Sequence, residues 1–154
     1  MSELKATLHD DLTAATKSGD KVTRETLRMA LTAIKNEEVS GKEVRELSDD
    51  EVIVVLSKEA KKRRESIEAY TSANRVDLAD VESAELAVLE KYLPAQLTEA
   101  EIAAIIATAV EAAGAQGLTG MKAMGAVMKS VTPQVSGRAD GGAVAAAVKS
   151  ALGA

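Results

Sequence analysis

SDDEVIVVLSKEAKKRRESIEAYTSA, residues 48–73, decides the architecture of this 154-residue chain. Ser48 followed three residues later by Glu51 has the pattern of a capping box, in which each side chain satisfies a backbone N–H at a helix start. Behind the cap, Ile53, Leu56, Ala60 and Ile67 recur at the helical period and form one apolar stripe. The stretch reads as a long helix, roughly Asp49 to Ala73, with Asn74 as its stop.

The same grammar extends upstream. Ser2 starts a first helix with Leu4, Leu8 and Leu12 as a narrow apolar stripe, ending near Ser18 and Gly19. Asp20 is the expected N-cap of a second helix whose buried face is Leu27, Ala30, Leu31 and Ile34, with Arg24, Arg28 and Lys35 largely off that face. The short break implies a helical hairpin. Gly41 then interrupts, and a charged linker leads to Ser48.

Downstream, a fourth helix carries Leu78, Val81, Leu86, Leu89 and Leu93 and halts before Pro94, which disfavours helical geometry at the preceding residue. PAQL, residues 94–97, is the expected linker between an N-terminal helical domain, 1–93, and a C-terminal three-helix domain, 98–154. Thr98 with Glu101 repeats the capping-box pattern and opens a fifth helix with Ile102, Ile105, Ile106 and Ala109. A glycine-rich turn precedes a sixth helix, and Asp140 caps a last one with Val144, Val148 and Leu152 inside. No strand pattern and no internal repeat is found, so the predicted fold class is all-α.

Composition agrees with a helical core. Apolar residues make up 46% of the chain, yet there is no Phe or Trp and only Tyr70 and Tyr92 are aromatic. Leu, Val, Ile, Met and Ala must therefore fill the interior. The absence of cysteine excludes disulfides and thiolate metal sites. No apolar run approaches the ~18 residues of a membrane span, and the first residues lack a signal-peptide h-region, so no membrane partner and a cytoplasmic location are expected. The formal net charge is −5. Residues 1–96 hold 15 Lys and Arg against 20 Asp and Glu, whereas residues 97–154 hold four of each. A chain of this charge does not coat nucleic acid indiscriminately, but its C-terminal part is free of the acidic excess.

Catalytic constellations are missing. The one histidine, His9, reads as a helix-surface residue and has no second imidazole for a metal site or a Ser-His-Asp triad. No phosphate-cradling glycine motif occurs, and the carboxylates are interspersed along helix surfaces. No cofactor or metal is called for, and no enzyme mechanism can be written. Binding remains. With two tyrosines to stack on, recognition of single-stranded RNA is poorly served, while recognition of a folded RNA by shape and backbone is compatible.

The most particular passage is TGMKAMGAVMKSVTPQVSGRADGG, residues 119–142. On an ideal helix Met121, Met124, Val127, Met128 and Val131 share one side, expected to be core, while Lys122, Gly125 and Lys129 share the other. A glycine on an exposed helix face costs roughly 1 kcal/mol against alanine, which suggests a close approach to the backbone there. Pro133 and Gly137 are expected to mark a turn that delivers Arg138. Lys122, Gly125, Lys129, Gly137 and Arg138 are thus the candidate RNA-binding residues. A secondary basic patch, Lys58, Lys61, Lys62, Arg63 and Arg64, is also a candidate, but Glu59, Glu65 and Glu68 supply helical partners that favour a solvated, ion-paired face.

LRMALTAIKNEE at 27–38, KEAKKRRESIEAY at 58–70, LEKYLPAQLTEAEI at 89–102 and MGAVMK…P…GRADG at 124–141 together resemble the GatB/YqeY family, specifically its free-standing YqeY-like proteins. The resemblance covers essentially the whole chain. It implies a helical N-terminal part and a tail similar to the C-terminal domain of the B subunit of the tRNA-dependent amidotransferase, which contacts the outer corner of the tRNA. It further implies an RNA-facing role for Gly125, Lys129, Gly137 and Arg138, with Lys122 beside them. Ala126, Gln134, Ser136 and Gly142 stand where family members often carry cations, so phosphate contacts are fewer here.

The expectation is a tRNA-associated accessory protein, non-catalytic alone. The alternatives are a component of a glutamine-dependent tRNA amidotransferase, a carbon-nitrogen ligase, working with amidotransferase or aminoacyl-tRNA synthetase components, or a helical protein-interaction module built on the acidic N-terminal helices.

Overall fold

The computed structural model describes residues 1–153, and among them the regular structure is helical throughout. The helices are α1 (Glu3–Ser18), α2 (Lys21–Glu38), α3 (Asp49–Ser72), α4 (Val76–Glu90), α5 (Glu99–Ala115), α6 (Met124–Val135) and α7 (Gly141–Ala151), with a 3-10 turn over Gly120–Ala123. The chain packs as two compact units, Met1–Leu93 and a tail from Pro94 onward.

Local chemistry starts most of these helices where the caps stand. Ser2, Asp20, Ser48 and Thr98 each accept a backbone N–H from the first helical turn, and Ser48 and Thr98 complete their boxes through Glu51 and Glu101. Such a cap contributes about 1 kcal/mol by satisfying a donor that has no intrahelical partner. Asn74 ends α3 in the left-handed region, at φ 57°. Arg75 then precedes α4 with no side-chain cap bond. No single described helix is long and apolar enough to cross a membrane.

In the first unit α1 packs on α2 and α3 on α4, while α2 also touches α3 and α4. Leu8, Leu27, Ile34, Val52, Leu56 and Leu89 are fully buried at its centre. Each contributes about 1.5–3 kcal/mol relative to an exposed position. The face of α3 that is buried is rotated from the expected stripe: Val52, Val55, Leu56, Ala60 and Arg63 are inside, and Ile53 and Ile67 are half-buried. Val81, expected inside α4, is 55% exposed, and Leu93 lies beyond the end of that helix. Polar contacts fasten α1, among them Leu4 N donating to Asp49 Oδ1 at 2.9 Å. Lys5 Nζ donates to both Glu38 carboxylate oxygens at 2.7 Å, and Tyr92 Oη donates to Asp11 Oδ2 at 2.6 Å.

The tail buries Ile106, Ala109, Ala113, Ala123, Val127, Val131, Val135, Val144 and Val148 from α5, α6 and α7. These side chains are all aliphatic and mostly small, so the three helices pack without a single aromatic ring.

Candidate nucleic-acid interface

Ala123, Val127, Val131 and Val135 recur every fourth residue and turn one face of α6 into the tail core. That placement leaves Lys122, Gly125 and Lys129 exposed on the other side. Met124 and Met128 pack against the core, as expected, but Met121 is 55% exposed. Its exposure follows from the 3-10 geometry of Gly120–Ala123, which turns through three residues rather than 3.6 and breaks the helical phase assumed for residue 121.

Gly125 has no internal reason to be glycine. A β-carbon added there would meet nothing within 4 Å, and its φ is not positive. Gly137 differs: its φ of 75° lies in the left-handed region that glycine enters without steric cost.

Pro133 does not mark the turn. It sits inside the last turn of α6, which continues to Val135, and Ser136 N closes the helix by donating to Thr132 O at 3.0 Å. Lacking an N–H, Pro133 cannot serve the carbonyl of Lys129.

Arg138 is half-buried and has structural ties. Its backbone N–H donates to Val135 O at 2.9 Å, its carbonyl accepts from Leu97 N at 2.8 Å, and its Nε donates to Ala95 O at 3.3 Å. Gln96 Nε2 donates to Gly137 O at 3.3 Å. Residues 95–97 therefore form a strap along the α6–α7 turn rather than a free connector. Nε is the one guanidinium nitrogen of Arg138 with a hydrogen bond among the described residues, which leaves its terminal nitrogens available to an anion.

The secondary basic patch is largely spoken for. Lys62 pairs with Glu59 at 2.8 Å, Arg64 with Glu90 at 3.3 Å and Lys61 with Glu65 at 3.9 Å. Arg63 must be withdrawn from it, since it is only 6% exposed and its Nη1 lies 2.9 Å from Glu59 Oε2. Burial pushes the Glu59 carboxyl upward, but hydrogen bonds from Lys62 and Arg63 outweigh it and hold that carboxyl below its ordinary range. A signal for the burial was present, because position 63 falls on the stripe of Leu56, Ala60 and Ile67. The strap residues gave no comparable signal, since their partners lie about 40 positions away.

A family model described as Yqey-like protein matches residues 5–152. The chain belongs to the YqeY-like family. Among its relatives, an uncharacterized protein of Schizosaccharomyces pombe is 35% identical over 91 residues, covering 59% of this chain and 72% of that protein. The protein named altered inheritance of mitochondria protein 41, mitochondrial, from Meyerozyma guilliermondii is 38% identical over 87 residues, 56% of this chain and 44% of the relative. Its namesake in Kluyveromyces lactis is 32% identical over 87 residues, again 56% of this chain and 46% of the relative. The YqeY-like chain thus spans less than half the length of these mitochondrial relatives. Their names overturn the expected cytoplasmic location, which rested on the missing h-region, a feature of secretory signals that says nothing about an organelle.

Proposed function

We propose that the chain is a tRNA-associated accessory protein, non-catalytic alone, whose tail docks on folded tRNA. The observation that carries this reading is Gly125, an exposed glycine in the first turn of α6 with neither steric nor conformational need to be one. It gives up as much as ~1 kcal/mol of helix stability and leaves bare backbone between the exposed side chains of Lys122 and Lys129. A sugar-phosphate strand is the kind of partner that gains from such an approach. The lysines answer its charge, and the terminal nitrogens of Arg138 add a planar fork.

The test is binding of folded tRNA across a salt series. Three cation contacts give a slope of log affinity against log salt of about −2 to −3. Lys122→Ala with Lys129→Ala, which disturbs no described ion pair, is expected to flatten that slope by about 2. Unchanged affinity and slope would exclude the surface. Arg138→Ala is the less informative variant, because it also cuts the strap at Ala95.

A further inference from the structure

A cleft of ≈ 670 Å³ runs between α2 and α3 in the first unit, remote in sequence from the tail surface just discussed. Its apolar lining is Met29, Ala33 and Val55, with the exposed Thr32 beside them, and Lys58 and Lys62 stand along its α3 edge. Met29 is 41% exposed, and its Sδ faces the buried Arg63 Nη2 at 3.7 Å, a soft contact that lets the thioether shift under a guest. We propose that this cleft is a docking groove for one amphipathic helix of a protein partner, bearing an acidic edge toward α3 and a basic residue toward the end of α2.

The charge pattern selects that occupant. Arg28 on the α2 side is answered by Glu25 at 3.2 Å, and Lys62 by Glu59 at 2.8 Å. Two lining charges have no ion pair among the described residues: Lys58 on α3 and Glu37 on α2. An apolar floor between unanswered charges of opposite sign on its two edges is the complement of a helix with an apolar face and oppositely charged flanks. Nucleic acid fits poorly, because Glu25, Glu37 and Glu59 balance the cations Arg28, Lys58 and Lys62 of the lining and leave no net positive charge to hold phosphates. The contact to Met29 and the Lys62 pair with Glu59 also tie the groove floor to the buried Arg63. The α3 edge is therefore held in place before a partner arrives, which lowers the ordering cost of binding, while Met29 adapts to the guest.

The experiment places a photo-crosslinking p-benzoylphenylalanine at Thr32 of the full chain, since the Thr32 hydroxyl only bonds back to Arg28 O within its own helix. After irradiation in source cells, the adduct is digested and sequenced, and a synthetic copy of the captured segment is titrated against the chain. The expected segment has apolar residues at i, i+3 or i+4 and i+7 with acids along one edge. Lys58→Glu is expected to weaken its binding at least about tenfold, and replacing the facing acid by lysine in the peptide to restore it, a rescue that a purely structural role for Lys58 would not give. An adduct with nucleic acid, an adduct with a second copy of the chain, no adduct, or binding indifferent to Lys58→Glu overturns the proposal.

Discussion

Arg63 stands between two carboxylates, with Nη1 2.9 Å from Glu59 Oε2 and Nε 3.3 Å from Glu85 Oε2. The Glu85 approach is close but poorly aligned, since Nε makes no hydrogen bond. The cluster joins α3 to α4, and through Met29 it reaches α2. Arg63→Ala leaves both acids facing a hole, and the expected loss is about 3–5 kcal/mol, read as a lower urea midpoint. Arg63→Ala with Glu59→Gln and Glu85→Gln is expected to recover part of it, because the uncompensated charges go with the cation.

Lys5 and Glu38 make the first unit sensitive to acid. The hydrogen bonds from Lys5 hold the Glu38 carboxyl below its ordinary range, against burial and with help from Leu47 N. In acid the unfolded chain therefore takes up this proton before the folded chain does. The stabilisation is whole above about pH 4.3 and is lost as pH falls through the lower folded value. Lys5→Met is expected to lower the melting temperature at pH 7 and to flatten its fall below pH 5, as measured by circular dichroism melts.

Gly125→Ala and Gly137→Ala are expected to act in opposite directions. At 125 the added methyl enters open space in a helix and stabilises the tail by up to ~1 kcal/mol. At 137 it is forced into the left-handed region and destabilises the tail by about 1–2 kcal/mol. If bare backbone at 125 serves RNA, its alanine variant is more stable yet binds tRNA more weakly, which melts and a binding titration on one preparation would show together.

Thr26 is fully buried on α2, and its hydroxyl has no hydrogen-bond partner among the described residues. Thr26→Val keeps the shape and removes the unmet polar atom. The expected gain is about 1 kcal/mol or more in chemical denaturation, with tRNA binding untouched.

The helices were legible because their signals are local. Ser2, Asp20, Ser48 and Thr98 act on backbone groups three residues away, and aliphatic spacing then names a face. Where the helix type changed, the reading failed: Met121 was placed by a 3.6 period in a segment that winds as 3-10. Pro133 is expected to mark a turn, yet α6 runs two residues past it to Val135 and leaves the Lys129 carbonyl without its usual donor. Arg63 stands in sequence within a run of surface cations, and periodicity gives its position but cannot show that Glu85, 22 residues on, comes to meet it. The candidate tail residues were found individually, while the strap that ties Arg138 to residues 95–97 depends on contacts only the folded chain creates.

The absence of aromatic rings from the tail has an optical consequence. Both tyrosines, Tyr70 and Tyr92, belong to the first unit, so ultraviolet emission from the native chain reports that unit and is blind to the tail. Tyr92 is held against the Asp11 carboxylate, and its emission is expected to change when α1 detaches from the end of α4. Circular dichroism at 222 nm, by contrast, sums both units. Subtracting one denaturation curve from the other isolates the melting of the tail in the unlabelled protein, so a ligand that protects only the tail reveals itself without a dye or a tag.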